Sequence, residues 1–395
     1  MSLQVAKIKD IPIKLHFSLI LVFFLITWTL AIGFMPRYAP DLNQVQYWIM
    51  GITGSIVLFL SVLIHELSHS LVARSYRIRV KQIMLFIFGG VSDIEEEPKD
   101  FKKEFKMAIA GPLISLALSA LFALFWWITN VIRAQSYSSL PTDDLSTIVL
   151  TMANAILYYS SILNLILGIF NLIPAFPMDG GRILRSLLYN RNKNYDKSTR
   201  IAVRIGVIIS YVFFGFGILT ILTGSFVSGL WIILIGWFLQ NGAQSYMYQY
   251  DIIKILSNIK LGELMKTNVI SVPDNITVNT ILTNYFNIYM KSAFPVTKLN
   301  YEIVGIVTLK SCLNVPESER DTILVKDIMT PKSKIKLLNV NDTAEKALST
   351  MVKETQDKVF VCNNDDIIEG VISKTDIIEA MDERKSFITT RNKGI

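Results

Sequence analysis

The sequence predicts an α-helical polytopic membrane protein of about six transmembrane helices with a small inserted β-sheet, followed by a cytoplasmic α/β domain. Three observations carry this. Charge-free apolar runs crowd into the first two thirds of the 395 residues, basic residues gather in alternate connections, and the last third repeats itself. With 51% hydrophobic residues, the chain is too apolar for an ordinary soluble enzyme.

A helix needs about 20 mostly apolar residues to cross a bilayer core. Runs of that kind fall at Phe17–Met35, Leu42–Ile64, Met107–Ile132 and Leu145–Met178. Ile205–Tyr250 carries no charge and is long enough for two helices, with Thr223–Gly229 as the turn between them. Lys7, Lys9 and Lys14 precede the first run, which has the length of a retained span, and no small-x-small cleavage site follows it. Arg74 to Lys106 after the second run and Arg182 to Arg204 after the fourth are strongly basic, whereas the other connections are not. The positive-inside rule then places the N-terminus, both basic connections and the C-terminal domain in the cytoplasm of a multi-pass cell-membrane protein.

Two segments of this half do not read as simple spans. Gln82–Ser92 is apolar, rich in strand formers and too short to cross, so it reads as a small sheet or re-entrant hairpin. In Asn171–Arg182, two prolines and two glycines should end the fourth helix.

In the last third, Leu261–Val278 resembles Val325–Thr343, and Gly305–Leu313 echoes Gly370–Ile378. Each unit reads as a short strand, a helix, two strands and a second helix, the signature of two modules sharing one core. The implied boundaries are 1–247 for the membrane unit, 248–260 for a linker, 261–383 for the tandem domain (261–318 and 324–383), and 384–395 for a basic tail.

The formal charge of +7 is explained by the membrane loops, and no basic stripe interleaved with aromatics points to nucleic acid. Cys312 and Cys362 have no metal-binding spacing and suggest no disulfide framework.

His65-Glu66-Leu67-Ser68-His69 is an HExxH pattern at the end of the second run. Residues four apart share a helix face, so both imidazoles can grip one metal ion, and Glu66 can take a proton from a water beside it. Zinc suits such a site, with nitrogen ligands and an open position. Ionisable residues inside a span are functional candidates by default. A catalytic zinc needs a third protein ligand, and Asp179, the lone acid between Asp144 and Asp196, is the preferred one. As a plain structural residue it would cap a helix or start a turn before Gly180. Asp93, Glu95, Glu96 and Glu97 compete from a charged loop.

These motifs resemble the site-2 proteases, zinc metalloproteases that cleave within membranes. The resemblance rests on HELSH (His65–His69), NLIPAFPMDGGR (Asn171–Arg182), FGGVS (Phe88–Ser92) and AGP (Ala110–Pro112), in order and at matching intervals. It implies one zinc per chain on His65, His69 and Asp179, Glu66 as general base, and a transmembrane protein as substrate, reached from the lipid bilayer. It also implies Asn171 as an oxyanion donor, although an Asn there could equally serve backbone groups freed by Pro174. The strand holding Gly89, Gly90 and Val91 would present its edge to an unwound substrate. His16, at the mouth of the first span, is where the family often has a histidine; a shield for zinc and a local hydrogen bond are both open.

The repeats resemble cystathionine-β-synthase-type (CBS) modules, which implies adenine-nucleotide binding between them and homodimerisation through the pair. Ser373 and Asp376 keep the spacing of the family's ribose contact, while Ser311 stands where the first repeat should have Asp. Asp376 also reads as a helix-start cap. Two rivals differ in class: a CBS-gated transporter, against which Glu66 argues, since a permeation site needs no base, and a receptor that binds substrates without cutting them.

Overall fold

The computed structural model describes residues 2–87, 89–95, 97–136, 144–267, 270–298, 303–354, 357–363 and 368–393. The chain divides into two units, Met1–Met247 and Tyr248–Ile395.

Among the described residues, six helices are long and apolar enough to cross a membrane. The first span, Ser18–Tyr38, joins α1 (Ser18–Thr29) through a π-helical turn to α2 (Met35–Tyr38). α3 (Gln44–Ser75) opens on a capping box, in which the Gln46 N–H donates to Asn43 Oδ1 and the Asn43 N–H to Gln46 Oε1. The remaining spans lie on α4 (Phe101–Ser136), α5 (Leu145–Asn171), α7 (Tyr195–Leu222) and α8 (Phe226–Ser257), with the short α6 (Asp179–Asn192) between the fourth and fifth. The 137–143 connection and Phe88 of the FGGVS motif lie outside the described residues, as does Glu96.

The inserted sheet is larger than the sequence suggested. Strands β1 (Ser2–Ile8) and β2 (Ile11–His16) precede the first span, and β3 (Val80–Phe86) and β4 (Gly89–Ile94) follow the second. They form one sheet in the order β1-β2-β3-β4, with β2 and β3 parallel and the outer pairs antiparallel. The N-terminal segment, expected to be only a basic flank, is thus half of the sheet. Ile11 and Ile13 of β2 are buried, and Ile11 packs with Ile83, Ala73 and Met107 against the ends of α3 and α4.

Three further expectations shift. The fourth apolar run ends as a helix at Asn171, seven residues before Met178, where a tight turn leads into α6. The segment read as a linker is helical as far as Ser257, because α8 continues without a break. Arg185, counted among orienting loop charges, is fully buried.

The second unit holds two small sheets. α9 (Leu261–Leu264), β5 (Val272–Pro273), α10 (Val278–Ile281), α11 (Asn287–Tyr289), β6 (Ala293–Thr297), β7 (Ile303–Thr308) and α12 (Leu309–Leu313) belong to the first repeat. α13 (Val325–Ile328), β8 (Thr330–Pro331), β9 (Leu338–Asn339), α14 (Ala344–Lys353), β10 (Lys358–Cys362), β11 (Ile368–Ser373) and α15 (Lys374–Lys393) belong to the second. The two cores do not follow the repeat boundaries. β8 pairs with β7, and Val325 is buried in the first core. Conversely, Leu261 is buried in the second core, and Lys266 bridges to Val371 on β11. Each repeat lends its opening segment to the other.

Candidate metal centre and candidate nucleotide cleft

α3 carries His65 and His69 one turn apart, both buried, and α6 begins at Asp179. The three ligand-bearing atoms converge: His65 Nε2 lies 3.1 Å and His69 Nε2 3.0 Å from Asp179 Oδ2, and the two Nε2 atoms are 3.2 Å apart. Ligands about 2.0–2.1 Å from a tetrahedral zinc lie roughly 3.3 Å from one another, so the spacing fits that ion.

The outer ring nitrogens sharpen this. His69 Nδ1 is 2.6 Å from the Met107 carbonyl oxygen, which can only accept, so Nδ1 carries the proton. In neutral His69, Nε2 then holds a bare lone pair aimed at a carboxylate oxygen and at a second imidazole nitrogen. Such a grouping is repulsive unless a positive charge, a metal ion or a proton on an imidazole, lies among the three atoms. His65 Nδ1 is likewise engaged, 2.9 Å from Ser115 Oγ, and outer partners of this kind fix a ligating imidazole's orientation. Burial raises the Asp179 carboxyl, and the His69 and His65 imidazoles beside it override that, holding it below the usual carboxylate range.

Two glycines admit this packing. A Cβ at Gly111 would sit 2.2 Å from His69 Nε2 and 2.5 Å from His65 Nε2, so only glycine lets α4 pass against the imidazoles. A Cβ at Gly90 would sit 2.5 Å from Glu66 Cγ, so β4 lies directly on the Glu66 side chain. Ser92 Oγ, also on β4, donates to Glu66 Oε2 at 2.7 Å. β4 is an edge strand, with Val91 half exposed and Gly89 at φ +123°. Asn171 ends α5 and donates one amide hydrogen to the Leu167 carbonyl at 2.9 Å. His16 makes the local contact, with Nδ1 2.8 Å from Ser18 Oγ, and stands outside the His65–His69–Asp179 cluster.

Sequence reasoning missed the support beneath the site. Arg185, six residues along α6 from Asp179, donates from Nε to Glu104 Oε1 at 2.6 Å and from Nη2 to Glu97 Oε2 at 2.8 Å. Its guanidinium lies over the rings of Phe176, Tyr195 and Tyr246, and the Tyr246 hydroxyl donates to Glu97 Oε2 at 3.0 Å. Glu97 is therefore a structural partner of α6. Burial raises its carboxyl, and the Arg185 charge overrides this and holds it at about 2.

In the second unit, Asp376 lies in the first turn of α15 and makes a capping arrangement with Ser373. Its Oδ2 accepts from the Ser373 N–H at 2.8 Å and from Ser373 Oγ at 2.6 Å, and the Asp376 N–H donates back to Ser373 Oγ at 3.2 Å. Its Oδ1 pairs with Lys266 at 2.6 Å. Both residues line a cleft of about 240 Å³ built from both repeats, with Phe360 and Pro295 among its walls. In the first repeat, Thr308 caps α12 and its Oγ1 meets Ser311 Oγ at 2.7 Å.

The family model described as Peptidase family M50 matches residues 53–213, and the CBS domain model matches 261–318 and 325–383. A zinc metalloprotease of Methanocaldococcus jannaschii is 31% identical over 96% of this chain and 96% of its own length. Rip3 of Mycobacterium tuberculosis is 28% identical over 96% of this chain and 93% of its own. A solved structure, the site-2 protease from Methanocaldococcus jannaschii, is 33% identical, covers 62% of this chain and 94% of its own, and superposes with a TM-score of 0.39.

Proposed function

This chain belongs to peptidase family M50, the site-2 proteases, and from that membership as a zinc metalloprotease we propose that it cleaves transmembrane segments of other membrane proteins within the bilayer. The observation that carries the reading is the His65–His69–Asp179 cluster, two buried imidazoles from an apolar span and a largely buried carboxylate from the start of α6, held together at metal-ligand spacing. Bound there, zinc would supply a Lewis acid that polarises the scissile carbonyl and acidifies a water.

The chain's own residues supply the rest. Glu66 takes the proton of the attacking water and passes it to the leaving amide nitrogen. Ser92, donating to Glu66 Oε2, holds that carboxylate in place. Asn171 keeps one amide hydrogen beyond its bond to Leu167 and turns it toward the developing oxyanion. The β4 edge at Gly89–Val91 takes the unwound substrate as an added strand. In this reading the N-terminus and the CBS pair are cytoplasmic, as the basic connections support. The pair binds an adenine nucleotide at Ser373 and Asp376, which adjusts protease activity. It also serves homodimerisation, a role supported by the exposed apolar residues Ile288, Met290 and Val352 at matching helices of the two repeats.

The test is cleavage of a model transmembrane substrate by purified protein alongside zinc content. Glu66→Gln should lower the rate at least about 100-fold while zinc stays near stoichiometric, because Glu66 is a base and not a ligand. Wild-type cleavage by that variant would overturn the mechanism, and zinc binding without cleavage by the wild type would favour a receptor.

A further inference from the structure

As it stands, Asp376 has too few open acceptor positions to take both hydroxyls of a ribose. Oδ2 already accepts two hydrogen bonds from Ser373, and Oδ1 is held by the Lys266 ammonium. A carboxylate that grips a cis-diol accepts from both hydroxyls, and here the Lys266 ammonium occupies part of that capacity. Lys266 is the easier of these partners to move. Its side chain is 69% exposed, whereas that of Asp376 is 9% exposed and locked to the start of α15.

The same cleft holds two more ammonium groups. Lys358 opens β10 opposite Ser373, and Lys291 lies just before β6; both are half-buried. Among the described residues neither has a carboxylate within ion-pair distance. Burial and the neighbouring Lys291 charge push the Lys358 ammonium below its usual range, against the pull of Asp376 and Asp357. Among the described residues, three lysines and one carboxylate line the cleft, an excess of two positive charges in a space sized for a small molecule. A phosphomonoester, at about −1.5 to −2 near neutral pH, matches that surplus.

We propose that the cleft takes a phosphorylated ribonucleoside by exchange: the ribose hydroxyls replace Lys266 on Asp376, and the phosphoryl group settles among Lys291, Lys358 and the released Lys266. The exchange rests on the nucleotide reading above and adds a selection to it. A nucleoside without phosphate must displace Lys266 from Asp376 and offers nothing to Lys291 and Lys358 in return, so it binds poorly. A monophosphate gives Lys266 a new partner. Lys266 acts as an internal stand-in that screens out unphosphorylated nucleosides.

The experiment titrates the detergent-solubilised full chain with adenosine and with AMP, at fixed ionic strength, by calorimetry. AMP should bind at least tenfold more tightly than adenosine. Lys291→Gln combined with Lys358→Gln should abolish that preference and leave adenosine affinity unchanged. Lys266→Gln, which frees Asp376, should tighten adenosine. AMP binding that ignores all three lysines would overturn the exchange while leaving the nucleotide reading in place. No binding of either ligand would remove the nucleotide reading and the exchange with it.

Discussion

A methyl group at position 111 would overlap the Nε2 atoms of both His65 and His69, and nothing on a packed transmembrane helix yields easily. Gly111→Ala should therefore cut zinc occupancy several-fold in a folded protein, read by metal analysis of the purified chain against its helical circular dichroism. Asp179→Ala should likewise lower occupancy, whereas Glu95→Ala should not; the opposite pattern would move the third ligand to the acidic loop. The meeting of HExxH with Asp179 was legible because the pattern a metal site would need restricts residue type and spacing, and those survive in a linear sequence. Met107 and Ser115 were not, since a backbone carbonyl and a helix-facing serine acquire their roles only when α4 packs against α3. Arg185 was misplaced for a related reason. A basic residue in a basic connection looks like any orienting charge, and only the folded α6 shows it surrounded by Glu97, Glu104 and three aromatic rings.

Among the elements, the six spans were readable from hydropathy alone, because a bilayer imposes one length and one composition on each. The sheet was half legible. Ile11, Ile13 and Leu15 alternate with Pro12 and Lys14, a period of two, yet a six-residue strand beside a basic run carries less signal than a span of about 20 residues. Orientation is checked by labelling. A cysteine replacing Asp41, between the first two spans, or placed within 137–143, should react with an impermeant thiol reagent on intact cells, and one replacing Lys193 should react only after lysis. Reversed labelling would put the CBS pair outside. Losing the β4 edge should slow catalysis without touching the metal. Val91→Pro, which removes a backbone N–H from that strand, should raise KM or lower kcat with zinc content unchanged.

For the whole molecule, regulation is bounded by linkage. A nucleotide can alter proteolysis only by its differential affinity for more and less active states. A coupling on the order of 1–3 kcal/mol would change the cleavage rate by roughly 5- to 150-fold. Saturating AMP should shift the rate in that range for the wild type and have no effect on Asp376→Ala, measured on the full chain with the same transmembrane substrate. The repeats themselves were legible, because internal similarity needs no structure to be seen, but their exchange of opening segments was not. That exchange sets an order of events during synthesis. The first CBS core cannot close until Val325 and β8 have left the ribosome, and the second waits for Ile372 and Ile377. Leu256, Ile259 and Leu261, which belong to the second core, emerge more than a hundred residues before their last partners. At about 5–20 residues per second, that apolar stretch waits on the order of ten seconds for its partners, just after the last span has been made. A nascent chain stalled near residue 320 would thus carry an inserted protease unit and an unclosed CBS core, exposed to quality-control proteases until translation resumes.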